Sequence, residues 1–141
     1  MTDHTPGFGS AAKYIGASTK EVIRDAQGLN YKKNTITIME IMGRNAGWLT
    51  GATALAKTED CDGPDLIYLP EVPFDTERFL KKVKELLKKK SSIVIAVTFC
   101  RKEIRKISRC SLKLLVSKGI NIIPYITQFT YISAVLQFNS L

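Results

Sequence analysis

Thr35-Ile36-Thr37-Ile38-Met39-Glu40-Ile41 is a run of β-branched and apolar residues that carries one charge and closes at Gly43. That composition predicts a buried strand ended by a glycine turn. Ile93 to Val97 repeats the pattern, and Leu66 to Leu69 is a shorter run of the same kind. Between the last two, Asp75 can cap a helix in which Phe79, Leu80, Val83, Leu86 and Leu87 form one stripe. Lys81, Lys82, Lys84 and Lys88 fall on its other side and face water. Upstream, Thr5 to Ser10 is turn-rich, and Ala11, Ile15, Thr19, Val22 and Ala26 recur at helical spacing, so a helix is expected from about Ser10 to Gln27, stopped by Gly28. Ala46 to Lys57 is rich in small helix formers, and Asp60-Cys61-Asp62-Gly63-Pro64 is a loop. Strands that alternate with helices over short connections predict right-handed crossovers and a parallel sheet. The fold class is therefore α/β, a partial three-layer arrangement with helices on both faces of the sheet. After Val97 the pattern breaks. Residues 99–118 offer a weak basic helix and 119–141 offer β-prone pieces without caps, so residues 1–98 are expected as the α/β unit and 99–141 as an irregular tail.

The 141 residues suffice for one ordinary core. Of the net charge of +8, +6 falls in residues 99–141, where Arg101, Lys102, Arg105, Lys106, Arg109, Lys113 and Lys118 face Glu103 alone. This basic stretch lacks interleaved aromatic residues, so no nucleic-acid partner is expected. Cys61, Cys100 and Cys110 are odd in number and form no CxxC pair, which fits a reduced, cytoplasmic protein. The uncharged stretch Gly119 to Leu141 is interrupted by Asn, Gln and Pro, and no membrane association is expected.

In an open parallel sheet, ligands bind at the carboxyl ends of the strands. Met42-Gly43-Arg44 and Pro70-Glu71 should lie on that edge. At the first, backbone N–H groups, a helix dipole and a guanidinium could converge on an anion such as a sugar phosphate. A tight turn with a solvated arginine accounts for the three residues equally well.

The longer run Glu40-Ile-Met-Gly-Arg-Asn-Ala-Gly-Trp48 resembles the hexose-phosphate-binding segment of phosphofructokinases. Thr2-Asp-His-Thr-Pro-Gly-Phe-Gly-Ser-Ala-Ala-Lys-Tyr14 and Asp65-Leu-Ile-Tyr-Leu-Pro-Glu71 are similar to two further segments of that family, in the same order, so the resemblance covers residues 1–98. It implies that Met42, Gly43 and Arg44 contact fructose 6-phosphate, with Arg44 also able to stabilise charge on the transferring group. The implied reaction moves a phosphoryl group from a Mg2+-bound donor, pyrophosphate or ATP, to the 1-hydroxyl of fructose 6-phosphate, with an aspartate as base. The wording around Thr2 is most similar to the pyrophosphate-using branches. The family's catalytic Asp-Asn-Asp triplet is expected upstream of Thr2, so no catalytic aspartate of this kind stands in the chain. Where the family carries an acidic sugar contact after Val97, this chain reads Thr98-Phe99-Cys100-Arg101. The implied protein is a homo-oligomeric glycolytic phosphofructokinase of which this chain is a fragment, inactive alone. The alternative is a non-catalytic sugar-phosphate-binding or subunit-interface module.

Other residues receive plainer readings. Ser10 is expected as a helix N-cap rather than a phosphate contact. Glu71 matches an effector-metal ligand of allosteric relatives but is read as a strand-end loop carboxylate. Asp60, Asp62 and Asp65 lack EF-hand spacing and are read as a solvated loop. His4 has no partner spacing for catalysis, and Trp48 is expected in core packing.

Overall fold

The computed structural model describes residues 7–28, 34–43, 46–98 and 120–126. Helix α1 spans Phe8–Gly28, and strand β1 spans Thr35–Ile41. A short helix, α2 (Trp48–Gly51), runs into a 3-10 turn at Ala52–Ala56. Then follow β2 (Leu66–Tyr68), α3 (Thr76–Leu87), β3 (Ser92–Thr98) and β4 (Asn121–Ile126). All four strands are parallel, in the order β2-β3-β1-β4.

The register explains the layers. Thr35 to Ile41 pair residue by residue with Ser92 to Thr98, so side chains alternate in step on the two central strands. Met39, Ile41 and Val94 pack on one face with Ile15, Val22, Ile23 and Ala26 of α1 and with Ala56 and Cys61. Ile36, Ile93, Ile95 and Val97 pack on the other with Phe79 and Val83 of α3. Both faces are thus covered, which is why neither strand shows a polar side. The hand of the crossovers assigns the helices. From β1 the chain travels past β3 to β2, and from β2 it travels back to β3. Opposite directions of travel with the same right-handed connection put the intervening helices on opposite faces.

Asp75 caps α3 as expected, its Oδ1 accepting from the N–H groups of Glu77 at 2.9 Å and Arg78 at 3.2 Å. Phe79 and Val83 are buried, and Lys81, Lys82, Lys84 and Lys88 are exposed. Tyr68, Phe74 and Phe79 meet edge-on or tilted, with centroids 5.4 to 5.6 Å apart, and close the end of this layer. At the start of β2, Asp65 brackets Val94. Its N–H donates to the Val94 carbonyl, and its Oδ2 accepts from the Val94 N–H, both at 2.9 Å. This adds one paired residue to a strand of three.

Three expectations change. Helix α1 begins at Phe8, so Ser10 lies inside its first turn and is not the N-cap. The Ala46–Lys57 segment forms four helical residues and a 3-10 turn rather than one helix, since Gly51 weakens the helix interior. Residues 121–126, expected within an irregular tail, form β4, which pairs with β1 from Thr35↔Asn121 to Glu40↔Ile126. Among the described strands β4 is outermost, a position where the missing N–H of Pro124 is tolerated. The rest of 99–141 lies outside the described residues. No helix among the described residues is long and apolar enough to cross a membrane.

Phe79→Ala should lower unfolding free energy by about 3–5 kcal/mol, while Lys81→Ala on the same helix should stay within about 0.5 kcal/mol, both read by urea denaturation of the full chain. Burial raises the carboxyl pKa of Glu40 above its ordinary value of 4.5. Its contribution to stability is therefore complete below 4.5 and is lost as pH climbs through the raised folded value. Melting temperatures between about pH 4 and 8 should fall less in Glu40→Gln than in the wild-type chain.

Candidate functional site

The direction of travel reverses between neighbouring strands. From β1 the chain goes toward β2, and from β3 it goes toward β4. Such a reversal makes a topological switch point, with a crevice beyond the carboxyl ends of the two strands. Met42 and Gly43 stand at the end of β1, and Thr98 ends β3 opposite Ile41.

Met42 is half-exposed, at 50 %, directly after the buried Ile41, so its side chain is available at the crevice. Gly43 has no room for a side chain. A Cβ there would lie 2.5 Å from the Ala46 carbonyl oxygen and 3.0 Å from Thr98 Cγ2. The turn therefore closes on itself and against β3. Thr98 is buried, and its Oγ1 donates to Thr50 Oγ1 over 2.8 Å, tying the end of β3 to α2. Thr53 Oγ1 donates in turn to the Thr50 carbonyl at 2.6 Å. The far end of the turn is held by Gly47. Its N–H donates to Glu71 Oε1 at 2.7 Å, and its carbonyl accepts from Gly51 N–H at 2.7 Å.

The structure brings together Met42, Gly43, Gly47, Thr98 and Glu71. Arg44 lies outside the described residues, as do Asn45, Thr2, Asp3, His4, Phe99, Cys100 and Arg101. Two features had been read differently. Trp48, expected in the core, is 76 % exposed at the start of α2. It follows Gly47, whose close fit against Leu69, Pro70 and Glu71 fixes the path of the chain and leaves the next side chain outside. The helix start expected to receive an anion at this turn also offers less than foreseen. Helix α2 has only four residues, and the Gly47 N–H is taken by Glu71.

Glu71, read as a loop carboxylate, thus has a definite partner. Pairing it with Gly47 was beyond sequence reasoning, because the residues are 24 apart and come from different strand ends. The Thr98–Thr50 bond was missed for the same reason. A usable signal was the second glycine of Gly43-Arg44-Asn45-Ala46-Gly47, since two glycines in one short turn indicate two close approaches.

The carboxylates of the loop before β2 are paired with cations. Asp60 pairs with Lys20 at 2.7 Å and with Arg24, and Lys20 and Thr58 hold its carboxyl well below the usual range. Lys90 reaches Asp65 at 3.0 Å and Asp62 at 3.3 Å, and the Asp65 carboxylate raises its pKa. Asp60, Asp62 and Asp65 are engaged by cations, and no group of three His, Cys, Asp or Glu among the described residues could hold a metal ion. The described residues do not fit a Mg2+ site.

The Phosphofructokinase family model matches residues 1–130, a span that includes every strand described above. This chain belongs to the phosphofructokinase family. It is 41 % identical over 98 residues to a pyrophosphate--fructose 6-phosphate 1-phosphotransferase of Halomonas elongata, covering 70 % of this chain and 23 % of that protein. Against a sulfofructose kinase of Alkalicoccus urumqiensis, identity is 40 % over 97 residues, covering 68 % and 25 %. Against an ATP-dependent 6-phosphofructokinase 2 of Clostridium perfringens it is 33 % over 84 residues, covering 60 % and 20 %. A crystal structure of the pyrophosphate-dependent phosphofructokinase of Marinobacter aquaeolei superposes with a TM-score of 0.74 at 29 % identity, over 95 % of this chain and 35 % of that one. The chain therefore spans about a quarter of the length of the curated relatives it matches.

Gly43→Ala should cost roughly 1–3 kcal/mol through overpacking against Ala46 and Thr98, read by urea denaturation. Gly51→Ala, where an added Cβ meets nothing within 4 Å, should be neutral or stabilising.

Proposed function

We propose that this chain supplies the sugar-phosphate-binding part of a phosphofructokinase that phosphorylates fructose 6-phosphate with pyrophosphate or ATP. The observation that carries this is the placing of Met42 and Gly43, with Arg44 next in sequence, at the carboxyl end of β1 beside the end of β3, in a chain of the phosphofructokinase family. In this reading Gly43 lets the backbone approach the sugar, Met42 lines the crevice, and Arg44 pairs with phosphate through its planar, permanently charged guanidinium. Commitment of the Gly47 N–H to Glu71 supports giving the phosphate to Arg44 rather than to the α2 amides. The relatives named for pyrophosphate are the more similar in sequence, which favours pyrophosphate as donor.

The donor would arrive as its Mg2+ complex, and the whole enzyme would be a cytoplasmic homo-oligomer. The carboxylates described here supply neither the metal site nor a base, so the chain alone is proposed to bind sugar phosphate without turning it over. A second reading, a sugar-phosphate-binding module without catalysis, draws on the chain's spanning a quarter of its relatives' length.

Isothermal titration calorimetry tests the shared part of both readings. Fructose 6-phosphate should bind the full chain and fructose should not, and sulfofructose is the competing ligand to compare. Arg44→Ala should weaken binding about 10- to 100-fold, corresponding to about 1.4–2.7 kcal/mol. Equal affinity in Arg44→Ala, or no heat at millimolar fructose 6-phosphate, sinks the assignment.

A further inference from the structure

Helix α3 has one face committed to the core. Phe79 and Val83 are 1 % and 0 % exposed among Ile36, Ile93, Ile95 and Val97, and Asp75 caps the helix at its start. The helix is therefore fixed in rotation, and its outer face is a fixed surface. On that face Arg78, Lys81, Lys82, Lys84, Lys88 and Lys89 stand exposed, with Glu77 and Glu85 as the carboxylates among them. Among the described residues no ion pair involves any of these groups. Other cations of the chain are paired, Lys90 with Asp62 and Asp65, and Lys20 and Arg24 with Asp60.

Spacing orders this face. Lys81, Lys84 and Lys88 follow one another at i, i+3 and i+7, and Lys88 keeps helical dihedrals, with φ −74° and ψ −24°. At 3.6 residues per turn they form one row about 10 Å long, flanked by Arg78 and Lys82. Like charges three and four residues apart repel on a helix, and a facing row of carboxylates relieves that repulsion. The face holds no apolar anchor. The exposed large apolar residues, Phe8, Tyr14, Met42, Trp48, Leu55 and Val72, all lie on other segments. A bilayer would be touched by charge alone, and nucleic-acid bases would find no stacking platform. A second helix fits better, because its carboxylates at i, i+3 and i+7 repeat with the same rise and meet the lysines one for one. Charge pairing between helices at this period is what selects partners in coiled coils.

We propose that the outer face of α3 is a docking surface for an acidic helix of a partner protein, one whose glutamates or aspartates repeat at i, i+3 and i+7. Charge speeds the encounter, and spacing sets the choice of partner. No residue of the crevice takes part, so this surface stands independently of the sugar-phosphate reading.

The probe is an alanine-based helical peptide with glutamates along one face at i, i+3 and i+7, fluorescently labelled and titrated with the full chain at low salt. A peptide of identical composition, with its glutamates spread around the helix, is the comparison. By anisotropy the patterned peptide should bind about tenfold more tightly than the spread one, and its affinity should fall steadily with added salt. Lys81→Gln combined with Lys84→Gln should weaken that binding about five- to tenfold, at unchanged melting temperature because glutamine is a comparable helix former. Lys13→Gln combined with Lys57→Gln removes the same charge from exposed positions outside α3, and binding should stay within about twofold of wild type.

Equal binding of the two peptides overturns the proposal, and so does equal weakening in the two double variants, since net charge alone would then be the cause. Absence of binding at millimolar patterned peptide overturns it as well. Single-stranded RNA or phosphatidylserine vesicles that bind more tightly than the patterned peptide, and lose that binding in the Lys81→Gln and Lys84→Gln variant, overturn it by assigning the face to phosphate groups.

Discussion

The pairing of β1 with β3 is the constraint from which the rest follows. These strands run side by side over seven residues, and each is covered on both faces. Their register aligns Ile41 with Thr98, so the two chains leave the sheet at the same level. A slip of one residue would exchange the faces, sending Met39 and Ile41 toward α3 and Ile36 toward α1. The buried Ile, Val and Met side chains of both layers oppose that slip. The closeness of Gly43 to Thr98 is thus a product of core packing some distance away.

The crevice edge is built differently from the core. Its contacts are a glycine against a carbonyl, a glycine against a proline, a hydroxyl on a hydroxyl and a carboxylate on one amide. None buries much apolar area, so each contributes little to global stability. Their role is geometric. Glycine permits backbone approach within distances that any side chain would forbid, and the hydrogen bonds then select one arrangement among those the glycines allow. The surface ion pairs of Asp60, Asp62 and Asp65 act elsewhere, joining α1 and the end of α3 to the loop before β2. Partly exposed pairs of this kind are individually weak.

Most of the architecture was legible because periodicity is local. Ile15, Thr19, Val22 and Ala26 lie on one side of α1, and all four are buried. Asp75 and the Phe79–Val83 stripe announced α3, and the Ile93–Val97 run announced β3. Strand β4 was hidden because its partner is β1, far away in sequence, and because Pro124 argues against a central strand. Trp48 was misplaced since large aromatic residues are usually buried, whereas here the neighbouring Gly47 sets the direction of the chain. Met42 and Gly43 were legible as a turn after a strand. Pro70-Glu71 was placed on the same edge, but the Glu71–Gly47 and Thr98–Thr50 bonds were not legible, since they depend on three strand ends arriving together.

The fate of the amides at the start of α2 bears on how an anion can be recognised at this edge. A helix of four residues has few unpaired donors, and its dipole is correspondingly small. Gly47, the residue where such an anion would sit, already gives its N–H to a carboxylate of the same chain. That carboxylate satisfies one amide donor at the helix start. In the proposed function, selectivity for a phosphate-bearing sugar then falls to a side chain rather than to backbone groups. A guanidinium answers this need better than an ammonium, because its fork matches two phosphate oxygens at once. Gly47 and Glu71 thus join the segments that follow β1 and β2, two strands that β3 keeps apart.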